Sequence, residues 1–193
     1  MIKRIFFVIV TVLILVSCGQ EYTPKPRGYF RIDFPGKEYK EAPEVLPYSF
    51  EIPVNSLIIR NKKSKNGIYW INIEYPQYKA TIYLTYDDIN KQNSVDKLIN
   101  DSRTFVYKHT IKADAIVENV FVNNDKKVYG IKYDIKGDAA SNIQFFLTDS
   151  TKHFLRGSLY FNVTPNKDSL APVIKYINTD IVHLMETLEW QNK

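Results

Sequence analysis

The sequence predicts an α+β fold, an α/β/α sandwich with a largely antiparallel sheet, and two observations predict it. Short segments rich in Val, Ile, Thr, Tyr, Phe and Trp recur between turn residues, the composition of a pleated, half-buried surface. Two segments with apolar residues at helical spacing interrupt these blocks, one in mid-chain and one at the end. Helices set apart from runs of strands cover an antiparallel sheet, whereas regular βαβ alternation would indicate a parallel one. Ahead of this domain, expected over residues 48–193, stand a signal peptide (1–17) and a proline-rich tether (18–47).

The leader begins with Lys3 and Arg4, runs through twelve uncharged, mostly apolar residues from Ile5 to Val16, and ends on small Ser17. That is the layout of a bacterial secretory signal. As a helix the apolar run would reach roughly 18 Å, short of the ~30 Å hydrocarbon core, so it fits a signal better than a single-span anchor. Leu15-Val16-Ser17-Cys18 fits a lipobox, in which the cysteine sulfur receives a diacylglyceryl group and becomes the new N-terminus. Cys18 is the one cysteine in the chain, so the mature protein has no disulfide partner for it. Two or three acyl chains, palmitate among them, would make attachment to the bilayer effectively permanent. Gly19, Gln20 and Glu21 follow, without the adjoining aspartate that retains a lipoprotein at the inner membrane. The outer membrane is therefore expected. One acidic residue leaves either face open, with the periplasmic one favoured.

Residues 19–47 hold five of the nine prolines (Pro24, Pro26, Pro35, Pro43, Pro47) and few branched aliphatics. Proline favours extended chain, so this stretch reads as a semi-rigid, partly ordered spacer. From about Tyr48 the pattern becomes strand-like. Segments 49–53, 56–60, 68–75 and 79–86 read as strands, with Lys65-Asn66-Gly67 as a hairpin turn. A helix follows, capped by Ser94 and carrying Val95, Leu98, Ile99, Ser102, Phe105 and Val106 on one face. Four further strands are expected near 115–122, 127–136, 143–148 and 154–163. Asp168 or Ser169 would cap a last helix with Leu170, Val173, Ile174, Ile177, Ile181, Leu184, Met185 and Leu188 along one stripe. This order of elements resembles the PsbP/Mog1-like fold, whose members often open with an aromatic-rich strand ending in proline, as Tyr48-Ser-Phe-Glu-Ile-Pro53 does. Fold alone does not give function.

Charge excludes one class of partner. Without the leader's two cations, the 26 Lys+Arg fall to 24 against 21 Asp+Glu, a net +3 that is too weak to point to nucleic acid. The 14 Tyr, 11 Phe and 2 Trp fit sheet surface and core better than sugar or peptide stacking.

Just after the anchor lies Tyr22-Thr-Pro-Lys-Pro-Arg-Gly-Tyr-Phe-Arg-Ile-Asp-Phe-Pro35. Along an extended chain Tyr29, Arg31 and Asp33 point one way, and Phe30, Ile32 and Phe34 the other. The apolar side suits docking on the domain or on a partner, and Pro24 and Pro26 lower the entropic cost of it. This run behind a lipobox cysteine resembles the gliding-motility lipoprotein GldD family of the Bacteroidetes. The resemblance implies a non-enzymatic accessory lipoprotein of the gliding machinery and the associated type IX secretion system, with Cys18 its defined functional position. Arg27, Tyr29, Phe30 and Arg31 are the candidate contacts with protein components of that apparatus.

Catalytic patterns are sparse. His109, His153 and His183 form no HxxxH or HExxH spacing, and no G-x-S-x-G or phosphate loop is present. No enzyme, metal or cofactor is expected, and Asp87-Asp88 reads as a solvated strand end. The basic run Arg60-Asn-Lys62-Lys63-Ser-Lys65 reads as a solvated hairpin tip, or else as a contact for lipid phosphates or an acidic partner. Asp149-Ser150-Thr151 and Asp168-Ser169-Leu170 resemble an O-glycosylation motif of exported Bacteroidetes proteins, Ser150 being the better candidate. The alternative function is a periplasmic binding module for a small ligand, glycan or peptidoglycan fragment. A deep apolar pocket with convergent polar groups would favour it.

Overall fold

The computed structural model describes residues 31–42, 46–60 and 69–191. The chain divides into a unit of Met1–Arg31 and a unit of Ile32–Lys193, and the elements below belong to the second. They are β1 (Tyr39–Glu41), β2 (Tyr48–Ser49), β3 (Glu51–Pro53), β4 (Leu57–Arg60), β5 (Ile71–Tyr75) and β6 (Ala80–Asp88), then α1 (Val95–Tyr107). After α1 come β7 (Ala113–Asn123), β8 (Val128–Gly137), β9 (Ser141–Thr148), β10 (His153–Phe161), α2 (Lys167–Thr187) and β11 (Glu189–Trp190).

Seven strands form one sheet in the order β4-β5-β6-β10-β9-β8-β7, and every pairing in it is antiparallel. Two meanders, β4–β6 and β7–β10, are thus zipped together where β10 lies beside β6 over nine residue pairs. Helix α1 makes the crossing between them, which carries the chain from the centre of the sheet to its far edge. Two two-stranded ladders, β1 with β3 and β2 with β11, complete the strands. This is the α+β architecture expected from the sequence, with the antiparallel sheet as its central layer.

Alternation along the strands assigns the faces. Ile143, Phe145, Leu147, Leu155 and Leu159 join Val173, Ile177, Ile181 and Leu184 of α2 in one buried cluster. Phe146, Phe154, Tyr133 and Ile135, at intervening positions, join Leu98 and Val106 of α1 in another. The helices therefore cover opposite faces, and β9, caught between them, is buried at all eight positions. Gly157 lies under the Phe145 ring, where any Cβ would collide with it, so that ring can lie flat across β10.

The structure adds elements that periodicity does not show. The folded unit extends toward the N-terminus beyond Tyr48, since β1 pairs with β3 and Leu46 is buried in the α2 cluster. A break at Phe50 divides the expected strand 49–53 into β2 and β3. The last helix starts at Lys167 with Asn166 as its cap, whose side chain accepts from the Ser169 N–H at 3.0 Å, so neither Asp168 nor Ser169 is the capping residue. Lys65-Asn66-Gly67 lies outside the described residues. Among those described, no helix is long and apolar enough to cross a membrane.

Candidate functional site: a polar stripe on the last helix

Helix α2 turns Val173, Ile177, Ile181, Leu184 and Met185 into the sheet. Beside that apolar stripe runs a second one, Tyr176, Asp180, His183 and Thr187, at i, i+4, i+7 and i+11, which keeps all four on one side of the helix. The segment leading into β1 docks there. Phe34 stacks on Tyr176 with ring centroids 4.5 Å apart and leans on Tyr78 at 5.7 Å. The Lys37 ammonium donates to Asp180 Oδ1 at 2.6 Å and to the Tyr176 carbonyl at 2.9 Å, and lies over the Tyr176 ring. Tyr39 donates to the same Asp180 oxygen at 2.9 Å and stacks on His183 at 3.6 Å. From β3, Glu51 Oε2 meets His183 Nε2 at 2.6 Å, and the Glu51 N–H donates to Thr187 Oγ1 at 3.1 Å.

Asp180 is only 2% exposed, and its Oδ2 has no hydrogen-bond partner among the described residues. Burial pulls the Lys37 ammonium below its ordinary range, and Asp180 pulls it back only in part. Burial, then the Asp180 bond and charge, push the Tyr39 hydroxyl well above its usual range. Tyr75, whose hydroxyl falls short of hydrogen-bond geometry with Asp180, is raised first by burial and then by that same charge. The arrangement is a clamp. One buried carboxylate gathers a cation and a hydroxyl from the N-terminal segment and orders several rings around it.

A second cluster sits where the end of β6 meets the start of β10. The Tyr86 hydroxyl bonds Asp88 Oδ1 at 2.9 Å and His153 Nδ1 at 2.7 Å. A carboxylate only accepts, so Tyr86 donates to Asp88, and the His153 Nδ1 must carry the proton that it gives to Tyr86. The His153 ring stacks flat on Trp190, 5.1 Å away, and is 3% exposed. It lies at the wall of a polar cleft of about 620 Å³ edged by Lys126, Lys152, Asp149 and Glu189. Chemically the cluster is an imidazole oriented by a hydroxyl and a carboxylate. At its neighbouring turn, burial raises the Asp149 carboxyl, but the N–H groups of His153, Lys152 and Thr151 outweigh it and hold the group below the usual range.

The residues singled out in the sequence distribute as follows. Cys18, Arg27, Tyr29 and Phe30 lie outside the described residues, as do Lys62, Lys63 and Lys65. Arg31 stands exposed at the start of the described chain, and Arg60 closes β4. His109 lies in the 3-10 turn that follows α1, against Tyr160, rather than within the helix. Ser150 is exposed on the β9–β10 turn with φ 67°, and Ser169 donates its N–H to the Asn166 cap. Among the described residues no cluster of His, Cys, Asp and Glu is arranged to hold a metal. Sequence reading missed Lys37, Tyr39 and Asp180; the polar recurrence at 176, 180, 183 and 187 was the available signal.

Two measurements check these sites. Lys37→Met strands a buried carboxylate. It should cost about 2–4 kcal/mol, below the ~3–5 of a fully buried pair because Lys37 is 24% exposed. Lys37→Met combined with Asp180→Leu should recover most of that in the denaturant midpoint; a single variant within ~0.5 kcal/mol of the parent refutes the clamp. Burial lowers the His153 pKa, and His109 is lowered by burial and then by Arg156. The unfolded chain then binds the extra protons, so these groups cost stability as pH falls below their ordinary value of 6.5. Depressed Asp149 acts only around and below 3.8, outside that window. A His109→Gln/His153→Gln variant should therefore show a flatter Tm between about pH 6.5 and 5 than the parent does. Equal slopes would contradict the burial argument.

Comparison with known proteins supplies the context. No curated protein matches the chain. A similar solved structure is the solution structure of cyanobacterial PsbP (CyanoP) from Synechocystis sp. PCC 6803, at 10% identity and a TM-score of 0.47, covering 90% of this chain and 97% of that one. The model of the family described as gliding motility lipoprotein GldD matches residues 19–190, from just after Cys18 through the docked segment to β11. The chain belongs to the gliding-motility lipoprotein GldD family.

Proposed function

We propose that this lipoprotein acts by contact and not by catalysis, as an outer-membrane accessory or assembly component of the gliding machinery and its associated type IX protein secretion. The observation that carries the reading is the clamp on α2. It fastens Phe34, at the end of the Tyr22–Pro35 run, and Lys37, just behind it, to the body, so the anchor and the domain are joined by a spacer of limited length. From Cys18 to Phe34 that spacer could span at most about 50 Å at the polyproline rise. Acylated Cys18 holds the membrane, the domain faces the periplasm, and Arg27, Tyr29, Phe30 and Arg31 lie between anchor and clamp, where a protein of the apparatus would meet them.

In the parent bacterium, an exported but unlipidated Cys18→Ala variant should lose colony spreading and secretion of type IX cargo. A strain that glides normally with it would sink the anchored reading. His153→Gln with Asp88→Asn should leave both activities intact; a folded protein that fails to support gliding would overturn the non-catalytic part.

One groove favours the second reading, a periplasmic binding module. Between α2 and β8–β9 it holds about 350 Å³ and is lined by Ile143, Ala171 and Ile174 together with Lys136 and Lys175. Native mass spectrometry of protein drawn from its own envelope decides it, because a mass equal to chain plus acyl groups leaves no ligand to account for.

A further inference from the structure

We propose that the β7 edge of the sheet pairs with the β7 edge of a second copy of this chain, antiparallel and centred on Asn119. β7 is eleven residues long and, among the described residues, ends the sheet and pairs with β8 on one side only. Edge strands left with open N–H and C=O groups are templates for another strand unless they are short, bulged or charged. The opposite edge, β4, is four residues long and runs into a lysine-rich stretch. β7 carries one such device, a register shift between Ala113 and Ala115. Beyond it, residues 115–123 contain no Lys, Arg, Pro or Gly. Three valines stand out along that run, Val117 at 45%, Val120 at 76% and Val122 at 59% exposure.

Charge restricts the register that a second copy can adopt. Asp114 and Glu118 are the only charges on β7, and both already have partners, Lys167 at 2.7 Å and the Tyr107 hydroxyl at 2.8 Å. A two-fold centred on Glu118 would oppose two carboxylates, and one centred on Ile116 would set Asp114 against Glu118; like charges directly opposite destabilise a ladder. Centred on Asn119, the bulge-free run 115–123 pairs with itself along its whole length. Ile116 then faces Val122, Val117 faces Phe121, and Glu118 faces Val120. Each pair joins residues of the same pleat, so the face bearing Ile116, which packs toward α1, continues across the junction, as does the face bearing Phe121. Two seven-stranded sheets become one. A lipoprotein confined to a membrane surface meets its own copies at raised effective concentration, which favours such pairing.

The chain's own cysteine is consumed by acylation, so Asn119→Cys places one free thiol on the proposed axis. In the full-length lipidated protein within its own envelope, mild oxidation should convert Asn119→Cys to a disulfide dimer at least fivefold more than Ala115→Cys or Asn123→Cys, whose thiols would lie roughly 27 Å from their own copies. Coexpressed Ile116→Cys and Val122→Cys chains should crosslink to each other and not to themselves. Adding Val120→Lys and Val122→Lys to Asn119→Cys should reduce the dimer at least fivefold with Tm held within a few degrees. No dimer at position 119 together with no mixed crosslink, equal yields at 115 and 119, or a crosslink to a different protein would each overturn the proposal.

Discussion

A single buried carboxylate, Asp180, fixes where the short segment from Phe34 to Tyr39 sits on the folded unit. Lys37 and Tyr39 converge on one of its oxygens, and the rings of Phe34, Tyr176 and His183 order themselves around that point. The β1–β3 ladder is only three residue pairs long, and two-stranded ladders of that size are marginal in water. Its persistence therefore depends on α2. The helix serves two layers at once, its apolar stripe closing the sheet and its polar stripe receiving the incoming chain. A buried ion pair gains little over an apolar substitute, but it rejects misplacement, because any other register of the segment leaves Asp180 uncompensated.

The two faces of the sheet are finished differently. Over one, α2 works with β1, β3 and the docked segment, and the cluster there runs from Leu46 to Leu188. Over the other, α1 covers Tyr133, Ile135, Phe146 and Phe154 and leaves Leu57, Ile59 and Tyr83 partly in solvent. Gln144 Nε2 and the Tyr133 hydroxyl, cross-strand neighbours beneath α1, are buried without hydrogen-bond partners among the described residues. The Tyr75 and Tyr78 hydroxyls and Asp180 Oδ2 are likewise unpartnered on the α2 side, so each helix sits over orphaned polar atoms that cost stability.

Much of this was legible from local pattern. Ser94 was identified as a cap because a hydroxyl before an apolar-periodic run has one common use, and it does accept from the Lys97 N–H. The strands of the large sheet were legible from their β-branched and aromatic runs, to within a few residues at each end. The misses share a cause, which is dependence on distant partners. β1, Tyr39-Lys-Glu41, has no strand-like composition and exists through contacts some 140 residues away. His153 looked unremarkable beside Lys152, since the hydroxyl that orients it belongs to Tyr86. Asn166, Asp168 and Ser169 are all capping types within four residues, and only the backbone decides among them. The clamp stripe is invisible to apolar periodicity, because Tyr176, Asp180, His183 and Thr187 repeat as polar residues.

The order in which the docked residues occur along the chain has a mechanical consequence. Tension applied at Ile32 would reach Phe34 first, then Lys37, then Tyr39, so the contacts would give way one after another instead of sharing the load. The seven-stranded sheet begins only at β4 and would stay intact while the segment peels. Its former seat, rigid on a helix packed against that sheet, would remain in place for the strap to settle back once the force subsides. A pull on the chain ahead of Ile32 would thus be met by stepwise yielding of the strap, with the sheet left whole.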